Sequence, residues 1–210
     1  MDCDREVMYM KILRKCLIIA ISILLVSCGN KQNTPSATLD IYIKDQLDGV
    51  KEKIMETMQN NDDGNFSNDQ LEELGTLIID FTYQIDNEQI KGDEASCDLT
   101  INCYDFGEML TSFFKNYISQ AFSAALSSAG HEPFDEKIEK LTKEIWEESI
   151  QETKTKGRTI SKTITIYMHK TNTGWEIDEE KCQKELVDAI TGGLLSAINE
   201  LPDSLEGFIK

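Results

Sequence analysis

The apolar side chains of this chain change their spacing several times, and this change constrains the fold more than any other feature of the sequence. Over residues 39–58 they recur every three or four positions, which predicts one face of a helix. Over residues 77–85 and 95–103 they alternate with polar residues, which predicts two half-buried strands. Residues 87–93 between them are polar, so we expect a hairpin at this point.

Helical spacing appears again in four further segments. A short helix is predicted to open at Ser67, and the long segments 105–130, 133–157 and 178–202 each predict a helix. Asp105, with Glu108 three residues later, has the pattern of a capping box.

A second pair of strands is predicted between the last two of these helices. Residues 160–169 alternate apolar and polar side chains, residues 172–174 have turn composition, and residues 175–177 form a short apolar strand. Helices, a hairpin, helices, a hairpin and a closing helix predict an α+β domain with an antiparallel sheet of about four strands packed on long helices.

The N-terminal segment combines a basic cluster with a short apolar run. Lys11, Arg14 and Lys15 precede an apolar core at residues 17–26. Ten residues are far short of the ~20 that a membrane-spanning helix needs, so this segment is typical of a signal peptide.

The apolar run closes in a sequence that resembles the lipobox of bacterial lipoproteins. Its residues are Leu25, Val26, Ser27, Cys28 and Gly29. The resemblance implies that residues 1–27 are removed as a lipoprotein signal peptide. It also implies that Cys28 becomes the lipidated N-terminus, attached to the membrane through a diacylglyceryl anchor on its extracytoplasmic face.

Two other interpretations of this segment were weighed. An uncleaved anchor starting at Leu17 would need the apolar run to continue past Cys28, but residues 29–33 are polar or glycine. An ordinary secretory signal would leave Cys28 there by chance. The translation start stays open, because Met8 and Met10 lie nearer to the basic cluster than Met1.

The charge of the chain limits its partners. The formal net charge is -17, and without residues 1–27 there remain 17 basic and 35 acidic side chains, a charge of -18. Nucleic-acid binding depends largely on cations that neutralise phosphate, so we expect no nucleic-acid partner. The protein body would not adhere to an anionic membrane either, and two acyl chains would supply stable attachment.

The length of the chain predicts one folded unit. The 183 residues after the signal are enough for a single core that buries roughly 70% of the unfolded surface. We expect a lipidated tether at residues 28–37, a single α+β extracytoplasmic domain at 38–203, and a tail at 204–210. Nine extended tether residues reach at most about 30 Å, which keeps the domain near the membrane.

Three cysteines remain after Cys28. Cys97 and Cys103 are predicted on one strand, roughly 20 Å apart and both facing the core, so they cannot bond to each other. Either could pair with Cys182 in an extracytoplasmic compartment. The alternative is that all three are buried free thiols that act as small hydrophobic side chains.

Several of these elements together resemble a family of uncharacterised Gram-positive lipoproteins. The similar parts are the lipobox, the first amphipathic helix, the strand segments 81–83 and 98–101, and the segment 174–178. The resemblance, over residues 39–178, implies a cystatin-like or nuclear-transport-factor-2-like fold with a curved sheet wrapped on helices. The two long helices between the hairpins and the extra C-terminal helix depart from the simplest form of that fold.

The predicted loop at residues 59–70 was compared with a helix-loop-helix calcium site. Asn61, Asp63 and Ser67 fall on ligand positions of such a loop. Its two end positions hold Gln59 and Gln70, where a working loop has Asp and a bidentate Glu, so a plain polar turn is the favoured interpretation. No metal and no cofactor is predicted.

The remaining candidates for chemistry are few. His131 and His169 have no metal-ligand spacing and no nucleophilic partner. Enzymes with the resembled fold place carboxylates inside a cone, and Asp80 and Asp98 are the nearest analogues here. Their alternation puts both on the polar face of the predicted strands, which favours solvated residues.

Aromatic side chains could line a ligand cavity, although aromatic residues on helical faces are usually core. The candidates are Phe113, Phe114, Tyr117, Phe122, Trp146 and Trp175.

Three functions were therefore compared. We predict a lipid-anchored, non-catalytic binding or interaction domain that contacts a small molecule, a peptide or another envelope protein. A hydrolase or isomerase with a cone pocket would instead need a buried carboxylate or histidine facing an apolar cavity. An envelope assembly partner would need an exposed helix, most simply at residues 179–201.

Overall fold

The structure is a computed structural model, and it describes residues 34–59, 68–127 and 134–200. The predicted signal peptide, the lipobox with Cys28 and most of the tether lie outside the described residues. So do the calcium-type ligands Asn61, Asp63 and Ser67, as well as His131 and the tail.

The described residues form helices and one antiparallel sheet, which confirms the predicted α+β class. In chain order the elements are α1 (Pro35–Gln59), α2 (Asn68–Ile79), β1 (Thr82–Lys91), β2 (Glu94–Cys103), α3 (Phe106–Ser127), α4 (Phe134–Lys156), β3 (Ile160–Lys170), β4 (Trp175–Ile177), α5 (Glu179–Ile190) and the helical segment α6 (194–200). No helix among these residues has the length and apolarity needed to span a bilayer.

The sheet has the strand order β1-β2-β3-β4, with every neighbouring pair antiparallel. Leu99 in the centre of β2 pairs with Ile85 of β1 and with Ile164 of β3. Side chains along β2 alternate strictly between buried and half-buried positions. One face of the sheet therefore packs on the helices and the other stays open.

The first strand lies later in the chain than predicted. Leu77 belongs to α2, where it is buried together with Leu74 and Ile78 at helical spacing. The strand then continues to Lys91, so the turn lies within the predicted range 87–93 but is confined to residues 92–93, because a β-bulge after Asp86 carries residues 87–91 within the strand. The apolar residues just before the strand fit both the helical and the strand spacing. Their burial as part of α2 shows that they are helical.

The core lies between the inner face of the sheet and the helices. Leu39 and Ile43 place α1 in it, and both strand cysteines face it as predicted. Its largest fully buried side chain is Trp146 of α4, whose ring packs edge-on against Phe113 of α3 at a centroid distance of 5.5 Å. Full burial of one large apolar side chain stabilises a fold by about 1.5–3 kcal/mol, so these contacts hold the two long helices in place.

The C-terminal helices belong to this core. Cys182, Leu186 and Ala189 of α5 are buried, as are Leu194 and Ile198 of α6. The interpretation of residues 179–201 as an exposed partner-binding helix is therefore wrong. Both α5 and α6 bury apolar side chains in the core.

Two predicted helix starts are placed correctly and differ in how they are capped. Asp105 accepts a hydrogen bond from the Glu108 backbone N–H at 2.7 Å, as an N-cap residue does. The Glu108 carboxylate pairs with Lys156 at 3.1 Å, so the reciprocal half of the capping box is not formed. Asp178 occupies the N-cap of α5 without a side-chain capping bond, and its carboxylate pairs with Lys181.

The turn between α5 and α6 is in direct backbone contact with the start of α3. Gly107 donates its N–H to the carbonyl oxygen of Gly192 at 3.0 Å. A Cβ atom at Gly192 would lie 1.9 Å from the carbonyl oxygen of Tyr104. Only a glycine fits at this crossing, where the β2–α3 connection meets the α5–α6 turn.

Candidate functional site

Asp80 lies at the junction of α2 and β1, not on the polar face of a strand. Its carboxylate accepts hydrogen bonds from the Arg158 guanidinium and from the Tyr104 hydroxyl, the latter at 3.1 Å. The Arg158 Nε also donates to the Asp80 backbone carbonyl at 3.0 Å. Burial and the bond to Asp80 raise the pKa of Tyr104. The three residues tie together three chain connections, which is a structural role.

The buried thiols are poor nucleophiles. Cys97, Cys103 and Cys182 are free and buried. Burial raises the pKa of Cys97 and of Cys103 to about 11, and it also raises that of Cys182. Thiols with such pKa values stay protonated at neutral pH, and reactivity belongs to the thiolate. The structure thus agrees with three separate small hydrophobic side chains.

The aromatic residues are core residues with one exception. Phe113 packs edge-on against Phe114 at a centroid distance of 5.4 Å and stacks on Tyr117 at 6.2 Å. Trp175 is buried with the Lys170 ammonium 5.8 Å from its ring centroid. Phe122, by contrast, is 66% exposed. The buried members of this group fill space between elements.

One buried carboxylate was missed in the sequence. Asp188 of α5 accepts hydrogen bonds from the Lys162 ammonium at 2.9 Å and from the Ser196 backbone N–H at 2.8 Å. Burial raises its pKa, but the Lys162 and Ser196 donors outweigh burial, and the net pKa is lowered. A signal existed, because Lys162 interrupts an alternating apolar pattern on the core side of β3.

The cavities among the described helices include two open grooves and one small void. An open groove of about 350 Å³ lies between α3 and α4, and a second of about 390 Å³ lies between α2 and α4. The third, between the start of α3 and the end of α4, holds only about 10 Å³, roughly one water-sized sphere. None of the three is lined by Asp188, by a histidine or by the aromatic cluster.

His169 is exposed and has no buried partner in the described part of the chain. His169 lies on the solvent side of β3, and its Nε2 is 3.9 Å from the nearer carboxylate oxygen of Glu176, which is also exposed. Within the described ranges, no three His, Cys, Asp or Glu side chains are grouped so that they could hold a metal ion.

A continuous polar surface lies on the solvent side of β1, β2 and β3, which we name the open sheet face. Each of its residues is exposed or half-buried, and the register aligns them in rows across the three strands. They are Thr82, Gln84, Asp86, Ser96, Asp98, Thr100, Asn102, Ser161, Thr163, Thr165 and Tyr167. None of these residues is a lysine or arginine, but the register continues the same face toward the β1–β2 turn with Lys91, Glu94 and His169.

Hydrogen bonds between neighbouring strands hold several side chains of this face in position. The hydroxyl oxygens of Thr100 and Thr163 are 2.8 Å apart. Asp98 accepts hydrogen bonds from the Thr165 hydroxyl at 3.0 Å and from the Asn87 side-chain amide at 2.9 Å. The open sheet face thus presents hydroxyl, amide and carboxylate groups on a rigid, pre-ordered ladder.

Comparison with known proteins identifies no family. No protein-family model and no curated protein matches the chain. Among solved structures, the crystal structure of ycdA, a candidate lipoprotein from Bacillus subtilis subsp. subtilis str. 168, is similar with 18% identity and a TM-score of 0.38. The match covers 83% of this chain and 54% of that one, so this chain spans about half the length of that structure.

Proposed function

We propose that this chain is a lipid-anchored extracytoplasmic lipoprotein whose folded part is a non-catalytic binding domain. We further propose that the open sheet face is its binding surface and that the fold is of the cystatin-like or nuclear-transport-factor-2-like kind. The lipobox pattern that ends at Cys28 supports the anchoring, and the order of helices and hairpins supports the fold grouping.

The pre-ordered polar ladder carries the binding proposal. Side chains that are already fixed lose little conformational entropy when a partner binds, which favours recognition over a flexible polar surface. The helices cover the other side of the sheet, so a partner can reach the sheet only from this face or from its edge.

The pocket enzyme remains the alternative hypothesis, and Asp188 is the group it would depend on. Proton transfer requires a carboxylate within hydrogen-bond distance of the bound substrate. Both oxygens of Asp188 accept bonds from the protein itself, and it lines none of the three cavities described above. The binding function is therefore the better supported of the two.

Replacement of Cys28 tests the anchor. We expect Cys28→Ser in the full-length protein to abolish incorporation of labelled fatty acid, since only the thiol of a lipobox accepts diacylglycerol. Cys16→Ser is the matched control inside the predicted signal and should stay lipidated. Equal lipidation of both variants would overturn the anchor.

A photo-crosslinking residue tests the binding surface. Placed at Thr163, in the centre of the open sheet face, it should give discrete light-dependent adducts on intact cells, because a bound partner would cover that position. The control is the same residue at Glu148, an exposed position on α4. Absence of adducts at Thr163, or identical adducts at both positions, would contradict the proposal.

A further inference from the structure

The two edges of the sheet are exposed to different degrees. At one side, β4 is only three residues long. Beyond it, α5 shields β3, since the Tyr167 backbone N–H donates to the Cys182 sulfur at 3.2 Å and the Tyr167 carbonyl accepts from the Asp178 N–H at 2.9 Å. At the other side, β1 is ten residues long and only its β2 side is paired in the sheet.

The first part of β1 carries only one of the features that usually protect an edge strand, the charge of Asp86. Natural edges are protected by charged side chains, above all lysine, by proline, by short length, by a bulge, or by a covering helix or loop. The bulge of β1 lies after Asp86, where Asn87 has a φ of 53°. Residues 82–86 before it are regular, contain neither lysine nor proline, and keep an uninterrupted register with β2. This segment can accept another strand.

The charges beside this edge are unbalanced. Asp86 lies directly opposite Asp98 on the open sheet face. Like charges in such cross-strand pairs are destabilising. Asp98 is bound by neutral donors only, and Asp86 has no ion-pair partner among the described residues. A cation placed beside the two carboxylates would relieve the repulsion.

We propose that residues 82–86 of β1 bind an extended cationic polypeptide segment as a fifth strand, with its basic side chains against Asp86 and Asp98. This inference rests on the proposed binding function and names its partner class. Backbone hydrogen bonds of the added strand would give affinity, and alternate side chains over the open sheet face would give specificity. A second copy of this chain fits less well, because its β1 would bring the same carboxylates and a net charge of -17.

Synthetic peptides provide the test. A fluorescent ten-residue peptide of alternating Lys and Val is titrated into the full-length protein in neutral detergent, and its anisotropy gives the dissociation constant. An alternating Glu and Val peptide has the same strand propensity and the opposite charge. A Lys and Val peptide with all of its backbone amides N-methylated has the same charge but has no backbone N–H to donate to the ladder. We expect the first to bind and each control to bind at least about tenfold more weakly.

Protein variants locate the binding. Asp86→Asn should weaken binding of the Lys and Val peptide about two- to fivefold, the range for one exposed ion pair. Glu148→Gln on α4 changes the net charge equally and should leave the binding unchanged. Amide hydrogen exchange should slow at residues 82–86 and not at β4. Equal effects of the two variants, or equal binding of the N-methylated peptide, would reduce the interaction to unspecific charge attraction and overturn the inference.

The outcomes separate this inference from the function on which it rests. If no peptide binds while Thr163 still crosslinks, the binding function stands and the fifth-strand inference is wrong. If sedimentation shows a dimer in which amide exchange at residues 82–86 is slowed, the occupant is a second copy, and the cationic partner is again wrong. If neither peptides nor crosslinks are found, both proposals fall.

Discussion

Gly192→Ala is expected to lower the free energy of unfolding by about 3–5 kcal/mol, which places it among the most damaging single substitutions in the chain. The Cβ atom would lie 1.9 Å from the Tyr104 carbonyl oxygen, and the backbone at Gly192 has a φ of +53°, where side chains are strained. Because the close neighbour is backbone, relief requires α3 to move away from the α5–α6 turn. Thermal unfolding should show a melting temperature lower by about 10 °C.

Gly157→Ala is the matched control for this prediction. Gly157 also has a positive φ, +75°, but a Cβ atom there meets nothing within 4 Å. Gly157→Ala should lower the free energy of unfolding by the strain of the left-handed backbone conformation alone, about 1–2 kcal/mol. If the two variants unfold at the same temperature, the crossing at Gly192 is not as tight as the structure places it.

The second large effect concerns the partly buried pair of Lys162 and Asp188. Asp188→Ala should lower the free energy of unfolding by about 2–3 kcal/mol, because it leaves the Lys162 ammonium and the Ser196 N–H without their acceptor. Removal of one partner from a fully buried pair costs about 3–5 kcal/mol, and we expect less here since the Lys162 side chain is 41% exposed. Asp188→Asn keeps an acceptor for Ser196 and should cost less, which urea unfolding can resolve.

The same carboxylate gives a defined pH dependence. The pKa of Asp188 is lowered in the folded protein, so its contribution to stability is fully present above the unfolded value of about 3.9. That contribution is lost as the pH falls through the lower folded pKa. The stability difference between the wild type and Asp188→Asn should therefore be constant above about pH 5 and shrink in more acidic solution. A difference that grows on acidification would contradict the assignment.

Much of the architecture could be predicted from periodicity. The alternation in β2 and β3 is read directly from the sequence because each strand has one buried face, and Asp105 and Gly157 mark their helix ends correctly. The start of β1 was misplaced because the apolar residues around Leu77 fit both a helix and a strand. Tertiary burial decides such cases, and a single sequence does not contain it.

The candidate site was harder to predict for a different reason. Which strand forms an edge depends on the strand order, and the long connection between β2 and β3 hides that order in the sequence. The pairing of Asp86 with Asp98 depends on the register of the β1–β2 hairpin, and the predicted turn of that hairpin begins too early in the chain. To predict the pair of Lys162 and Asp188, each residue has to be recognised as a polar exception among the apolar residues of its element.

The pairing of β2 with β3 also has a consequence for how the chain reaches its fold. Leu99 and Ile164 are direct partners although α3 and α4 lie between them in the chain. Closing a loop of about 60 residues costs roughly 3–4 kcal/mol of chain entropy before any contact compensates for it, whereas the β1–β2 hairpin closes locally. Long-range pairing of this kind slows folding. The central ladder of the sheet is therefore the kinetic bottleneck, and until it forms, β2 is itself an unprotected edge.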